Sequence, residues 1–537
     1  MIIGNGLRRT AKVYPDKVAV IDKFGKYCSV DTRYTYKEVA ERVNRLANSL
    51  LSLGLKKGDR VALLSATRMG FYLSQLGIIK AGLVLVPVNA TFGGKSREFI
   101  HVVNDSGARA LIVDADIYQK DVQDVRQEIP GIEYYIGLGE GHNLPYDWAK
   151  MTEEGPPAEP EIDLEDEDLA VLQYTSGTTG LPKGTMLTHR NLSCSSYSWS
   201  AELRALPHYK FLISIPSATS GGLGLTNLCV FRGMTLVFSD FNPEKVLQII
   251  QDEKINCTMF APTMTARLVR DPAARKYDYS SLKSVISSAA PISAELLKEA
   301  SGVLGDVYVE LFGTTETCLL GTYLQPEERA LEGPISSRLT SIGKACLGYE
   351  VKAVDDDGNE VGPGEIGEVL IQGDAVAKGY WNMPDAPDFA GGWWHSGDLA
   401  LVDEDGYLHI VDRKKDMIIS GGENIYPREI EDVISSHPGV FLVSVIGVPD
   451  PDWGESVKAV VVPKDEYKGK LTEKEIVDYC KERLSSYKKP RSVDFVAISE
   501  VPLMAGGYKV LKRELKEKYR KQYMEKTGKK VDRWGAV

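Results

Sequence analysis

The stretch Tyr174-Thr175-Ser176-Gly177-Thr178-Thr179-Gly180-Leu181-Pro182-Lys183-Gly184, YTSGTTGLPKG, decides how the rest of the chain is read. Between Thr175 and Thr179 it supplies four hydroxyls and a glycine, and Gly180, Pro182, Lys183 and Gly184 follow. Backbone N–H groups, hydroxyl donors and one ammonium in a glycine-rich loop suit the wrapping of phosphate oxygens. The run is not a Walker A loop. Counting on from Gly177, Pro182 stands where the second glycine belongs, and Lys183 is followed by Gly184. A simple P-loop NTPase is therefore disfavoured. A surface turn rich in Gly and Thr accounts for any single residue here but poorly for the whole run. Thr188 follows a short apolar stretch and is placed to cap a helix beginning near Arg190.

At 537 residues the chain exceeds one compact core, a size that allows about two to four domains. Apolar residues at 43% and charged residues at 26% fit an ordinary globular enzyme. The net charge of −11 argues against nucleic acid as the main partner, because a phosphate backbone wants a basic face. Cys28, Cys194, Cys229, Cys257, Cys318, Cys346 and Cys480 are scattered without metal-like pairing, as in a reducing compartment. There is no apolar run of bilayer length, no signal-peptide h-region and no peroxisomal C-terminus. A cytoplasmic location is the expectation, and a homodimer is the commonest state for such enzymes.

Elements alternate along the chain. Tyr34 to Leu53 reads as an amphipathic helix with Val39, Val43, Leu46 and Leu50 on its apolar stripe. Asp59 to Ser65 reads as a buried strand, Met69 to Ala81 as a helix and Leu83 to Val88 as a strand. The rhythm returns at Ala110 to Val113 and from Thr235 to Val309, with a helix over Pro243 to Asp252. It implies an α/β fold: a large N-terminal domain of parallel-rich sheets with covering helices. The acidic, Pro-rich segment from Glu153 to Asp168 reads as a solvated linker. From Tyr349 to Ile371 short β segments with turns suggest a β-rich subdomain, with Asp357-Gly358 as a hairpin signal. Beyond the charged run Asp412 to Asp416, a helix from Pro427, strands over Phe441–Val448 and Ser456–Val462, a helix capped by Thr472 and a strand from Ser492 form a small α+β domain of about a hundred residues. The expected division is 1–413 and 414–537.

The loop at 174–184 resembles the signature loop of the adenylate-forming superfamily, which includes acyl-CoA synthetases, the adenylation domains of peptide synthetases and firefly-type luciferases. SSAAPIS (287–293), VELFGTTET (309–317), GDAVAKGYWN (373–382) and HSGDLALVDEDGYLHIVDRKKD (395–416) match the family in its own order, so the resemblance covers nearly the whole chain. It implies that Thr175 to Gly180 and Lys183 take the phosphates of ATP. Ala289, Ala290 and Pro291 would form one wall of the adenine slot, and Glu310, Leu311, Phe312, Gly313 and Thr314 would also bind ATP. Phe312 would supply the aromatic face, where the family more often has Tyr. Thr315 would reach the α-phosphate and Glu316 would hold Mg²⁺. Asp398 would accept from the ribose hydroxyls, assisted by Arg413.

By the same resemblance Lys415 is the hinge of a mobile C-terminal lid. Lys509 would bridge the substrate carboxylate and the α-phosphate during adenylate formation. Ser420, Gly421 and Gly422 would line a tunnel for coenzyme A. The other basic residues near the end, Lys512, Arg513, Lys516, Lys518, Arg520 and Lys521, read as a solvated helix face with Glu514 and Glu517. In the acyl-pocket region the family commonly has a His or an aromatic residue, whereas Ser217 to Gly222 are all small here. Thr219, Ser220, Gly221 and Gly222, with Ala289, Phe312 and Gly313, are thus the candidate substrate pocket. Two readings of the glycines stand: room for a branched, cyclic or aromatic acid, or the tight start of the next helix. The expected activity is ATP-dependent ligation of a carboxylic acid to coenzyme A. A carrier protein or oxygen as acceptor and a long-chain acid are the alternatives, and a non-catalytic nucleotide-binding protein is a reading of another class.

Overall fold

The structure is a computed structural model describing residues 2–24, 31–66, 68–90, 93–175, 181–288, 290, 292–333, 335–503 and 510–528. The chain forms two compact units, the first from Met1–Val351 and Ile371–His395, the second from Lys352–Leu370 and Ser396–Val537.

In the first unit, the described residues form two sheets that are parallel over most of their width. The seven-stranded sheet runs Tyr146–Asp147, Tyr134–Leu138, Ala110–Asp114, Arg60–Ser65, Val84–Asn89, Leu169–Thr175, Lys183–Thr188. The nine-stranded sheet runs Lys344–Ala345, Thr322–Leu324, Tyr308–Phe312, Ser284–Ser287, Cys257–Phe260, Lys210–Ile213, Thr235–Phe238, Val18–Asp22, Thr32–Thr35. Their central strands are buried almost throughout and largely apolar, as covering on both faces requires. The helix Met69–Lys80 is buried along its whole length and touches strands of both sheets, which explains why it is apolar all round.

The helix expected over Tyr34 to Leu53 spans Tyr36–Ser52. Residues Thr32–Thr35 instead pair antiparallel with Val18–Asp22, and Thr35 caps the helix in a capping box with Glu38. Such a cap is worth about 1 kcal/mol and fixes where the strand gives way to the helix.

The segment read as a solvated linker is strapped down. Asn44 and Asn48, one helical turn apart, donate to the carbonyls of Pro157, Pro156 and Ala158, and Arg45 donates to that of Gly155. Lys80 pairs with Glu159 at 2.7 Å. Composition signalled solvent exposure, but the partners lie a hundred residues upstream.

The second unit holds most of a four-stranded sheet whose last strands are Trp394–Val402 and Leu408–Arg413, and a second sheet built on the hairpin of Val440–Asp450 and Gly454–Pro463. One face of that hairpin packs Val445, Val457, Ala459 and Val461 against Ile430 and Ile434 of the helix Pro427–Ser435 and Ile476 of Glu473–Lys481. The other face packs Ile446 and Val460 against Leu515 and Tyr519 of the helix Lys512–Thr527. Two of that helix's lysines are turned inward, contrary to the solvated face expected for them. Lys512 pairs with Glu431 at 2.9 Å and Lys516 with Asp416 at 3.5 Å, because the buried Leu515 and Tyr519 set which side of the helix meets the sheet. Among the described residues no helix is long and apolar enough to cross a membrane.

Candidate active site

Each sheet of the first unit ends its parallel run in a strand from which the chain turns straight back. Leu169–Thr175 is followed by the antiparallel Lys183–Thr188, and Tyr308–Phe312 by the antiparallel Thr322–Leu324. The carboxyl ends of parallel strands are where α/β sheets gather ligands, and both reversals carry candidate residues. In the first, Thr175 and Lys183 are direct partners in the ladder, so the two flanking strands stay paired up to these two residues. Ser176 to Gly180 lie outside the described residues, as do Ala289, Pro291 and Lys509. Thr188 caps the helix His189–Glu202 in a capping box with Asn191, as its sequence position indicated.

In the second reversal Glu310 and Leu311 lie within the strand, 5% and 4% exposed, while Phe312 at its end is half-buried. A β-carbon on Gly313 would come 2.4 Å from the carbonyl of Leu319, so only glycine fits where the turn closes on itself. Thr314 donates its hydroxyl to Oε2 of Glu316 at 2.6 Å, and Thr315 shares a hydrogen bond of 2.6 Å with Ser220.

Tyr380 joins the two reversals, and no role had been assigned to it from sequence. Its hydroxyl donates to Oε1 of Glu316 at 2.7 Å, and the Lys183 ammonium lies 4.5 Å from its ring centroid. Asp388 is 3.5 Å from the same ammonium. Burial, and then the charge and hydrogen bond of Glu316, hold the phenol proton well above the usual tyrosine range, so Tyr380 is a donor at working pH. The motif GDAVAKGYWN carried the family match without singling out this side chain; a buried aromatic inside such a motif was the signal available.

The small-residue stretch resolves into separate roles. Thr219 caps the helix Ser220–Arg232 by accepting from the Gly222 N–H. A β-carbon on Gly222 would fall 2.5 Å from Ser217 Cα, so this glycine marks the tight helix start. A β-carbon on Gly221 would instead face the side chains of Ile215, Met259 and Leu319 at 3.1–3.3 Å. The tight start of the helix therefore accounts for Gly222.

In the second unit Asp398 and Arg413 are direct partners across an antiparallel ladder, and Arg413 Nε donates to Asp398 Oδ1 at 3.1 Å. Asp398 is 5% exposed. Lys415 follows that strand, and its carbonyl accepts from Lys516 Nζ at 3.3 Å. Ser420 closes a short strand; Gly421 and Gly422 follow at φ +61° and +86°, in the left-handed region that favours glycine. The Gly421 N–H donates to the Trp453 carbonyl at 2.9 Å, and a β-carbon on Gly421 would lie 2.4 Å from the indole ring.

Residues 7–381 match the AMP-binding enzyme family and residues 429–507 match the AMP-binding enzyme C-terminal domain. The chain belongs to the AMP-binding enzymes, the adenylate-forming superfamily. This AMP-binding enzyme is 36% identical over 495 residues to a feruloyl-CoA synthase of Amycolatopsis sp., covering 91% of this chain and 94% of that protein. It is 34% identical over 526 residues to the long-chain-fatty-acid–CoA ligase FadD13 of Mycobacterium tuberculosis, covering 96% and 98%. Among solved structures it superposes on ATP-bound MatB from Rhodopseudomonas palustris with TM-score 0.85 at 30% identity, covering 97% of this chain and 100% of that one. The anthranilate CoA ligase AuaEII in complex with anthranoyl-AMP gives TM-score 0.86 at 27% identity, covering 97% and 98%.

The residues present fit a magnesium ion carried on ATP. Among the described residues no three His, Cys, Asp or Glu side chains converge into a metal cage. Glu316 is one buried, hard carboxylate held from two sides by hydroxyl donors. Mg²⁺ usually takes one or two carboxylates and completes its shell with phosphate and water, so one such group suffices.

Proposed function

We propose that this AMP-forming acid–thiol ligase joins a carboxylic acid to coenzyme A in two steps, through an acyl-adenylate. The substrate carboxylate attacks the α-phosphorus of ATP and pyrophosphate leaves. The thiol of coenzyme A then displaces AMP from the acyl carbon. The observation that carries the reading is the meeting of Lys183 and Glu316, from the reversals of two different sheets, on the single side chain of Tyr380.

Little covalent chemistry is asked of the protein in the first step, so positioning and charge neutralisation carry it. Thr175, Ser176, Gly177, Thr178, Thr179 and Gly180 wrap the phosphates while Lys183 neutralises them. Thr315 and Lys509 face the α-phosphate, where charge shifts as the bond to pyrophosphate breaks. Phe312 stacks on adenine with Ala289, Ala290 and Pro291 opposite, and Asp398 and Arg413 take the ribose. Glu316 would hold Mg²⁺, which would supply charge neutralisation on the phosphate oxygens. For the second step the C-terminal domain turns about Lys415, withdraws Lys509 and presents Ser420, Gly421 and Gly422 to pantetheine.

The acid is short to medium in length and branched, cyclic or aromatic. Support comes from Gly221, which borders the apolar side chains of Ile215, Met259 and Leu319, and from relatives named for feruloyl and anthranilate substrates. FadD13 favours a long-chain acid as the second reading. Pyrophosphate release from Mg·ATP across linear, branched, cyclic and aromatic acids, with and without coenzyme A, tests both. Preference for an aromatic or branched acid with dependence on coenzyme A is expected. Preference for long linear acids overturns the substrate reading, and turnover indifferent to coenzyme A overturns the acceptor.

A further inference from the structure

We propose that Tyr380 is a positioning residue that sets the spacing between the carboxylate of Glu316 and the ammonium of Lys183, and so between the metal and phosphate contacts of the nucleotide. The inference rests on the reading of Glu316 and Lys183 given above.

The geometry has three parts. First, one rigid planar side chain carries both partners: its hydroxyl donates to Glu316 Oε1 at 2.7 Å, and its ring lies under the Lys183 ammonium at 4.5 Å. An ammonium is attracted to an aromatic face, and a hydroxyl donated to a carboxylate is a charge-assisted bond. Second, the segment bearing Tyr380 is sewn to the edge strand that begins at Lys183. Lys378 N–H donates to Met186 O at 3.0 Å, Met186 N–H to Gly379 O at 2.9 Å and Trp381 N–H to Gly184 O at 2.7 Å. On the other side Ala377 N–H donates to Glu316 O at 2.7 Å. The backbone at Tyr380 is thus referenced to both reversals. Third, the ring has little freedom: Tyr380 is 5% exposed and meets Phe389 edge-on at 5.2 Å.

A lysine stem has many rotamers, and ordering it on phosphate costs side-chain entropy. Holding the ammonium on the Tyr380 face beforehand removes part of that cost. The hydroxyl does the corresponding service for Glu316. With Thr314 on Oε2 and Tyr380 on Oε1, the plane of the carboxylate is fixed before a metal arrives. Groups that orient a metal ligand in this way typically change metal affinity 10- to 100-fold when removed.

The test compares Tyr380→Phe, Tyr380→Leu and Glu316→Gln. Mn²⁺ binding is followed by electron paramagnetic resonance in the presence of ATP and the absence of acid, and adenylation is measured against free Mg²⁺ and against ATP. Tyr380→Phe should weaken metal binding about tenfold or more, leave KM for ATP within about twofold, and keep the thermal midpoint of the wild type. Tyr380→Leu, which also loses the ring face, should raise KM for ATP as well. Wild-type metal binding in Tyr380→Phe, with Glu316→Gln impaired, overturns the positioning role and leaves the reading of Glu316 intact. Unimpaired metal binding in Glu316→Gln removes Glu316 as a ligand, and the proposal with it. If Tyr380→Phe does not fold, the decision passes to Thr314→Val, which deletes the other donor to the same carboxylate; wild-type metal binding there also overturns the proposal.

Discussion

Ser220 and Thr315 share a hydrogen bond of 2.6 Å between their hydroxyl oxygens, across 95 positions of sequence. Ser220 is the first residue of the helix Ser220–Arg232, and Thr315 is the first of the short turn Thr315–Thr317. The helix that carries the candidate pocket glycines Gly221 and Gly222 is therefore tied to the residue assigned to the α-phosphate. Ser220→Ala should lower the adenylation rate about fivefold, the worth of one hydrogen bond near 1 kcal/mol. Thr315→Val should lower it further, and the double variant should be no worse than Thr315→Val alone, because the two hydroxyls act as a unit. Pyrophosphate release by the three variants measures this; independent, multiplying losses would mean that the bond does not transmit.

The adjacent glycines of the same helix should respond differently to a side chain. At Gly222 a β-carbon would strike backbone, so Gly222→Ala should destabilise the first unit by about 1–3 kcal/mol, as overpacking does. At Gly221 the neighbours are the ends of Ile215, Met259 and Leu319, which can give. Gly221→Val should fold, retain activity toward the smallest acids and lose it toward bulky ones. Thermal midpoints and an acid panel distinguish the two; a uniform activity loss in Gly221→Val would remove Gly221 from the pocket.

His189 gives a pH dependence of stability whose sign follows from its burial. It is 1% exposed, and burial pushes its imidazole down to about 4 from the ordinary 6.5, against the attraction of Asp168. The native protein thus keeps His189 neutral where the unfolded chain protonates it. Its contribution is fully present above pH 6.5 and is lost as pH falls toward 4. Between pH 7 and pH 5 the loss should be about 2 kcal/mol. Urea unfolding at the two pH values should show it, and His189→Gln, which does not titrate, should show a smaller drop. Equal drops in both proteins would assign the effect elsewhere.

Much of this was legible because it is local. Thr188 and Thr472 cap the helices expected of them, and Pro243–Asp252 has the bounds its pattern indicated. The parallel sheets followed from apolar runs alternating with helices. What was not legible depends on partners remote in sequence. The acidic segment after Glu153 is strapped to Asn44 and Asn48, and Lys512 and Lys516 turn inward to Glu431 and Asp416. Tyr380 was missed for the same reason: its role appears only when Glu316 and Lys183 arrive on either side of it.

Gly421 offers the sharpest division between the two half-reactions. Its φ of +61° disfavours any side chain, and its Cα lies against the Trp453 indole, which is 45% exposed and carries the Arg491 guanidinium 4.5 Å from its ring centroid. A side chain at 421 must therefore displace Trp453 or project into the path assigned to pantetheine. In the reading above only thioester formation uses this surface, whereas only adenylation uses Lys509, which lies outside the described residues. Gly421→Leu should release pyrophosphate at close to the wild-type rate when hydroxylamine traps the adenylate, and should form acyl-CoA at least about tenfold more slowly. Lys509→Ala should do the reverse, failing to adenylate while still passing a supplied acyl-adenylate to coenzyme A. If both variants lose both half-reactions equally while remaining folded, one arrangement of the C-terminal domain serves both steps and the turn about Lys415 is not needed.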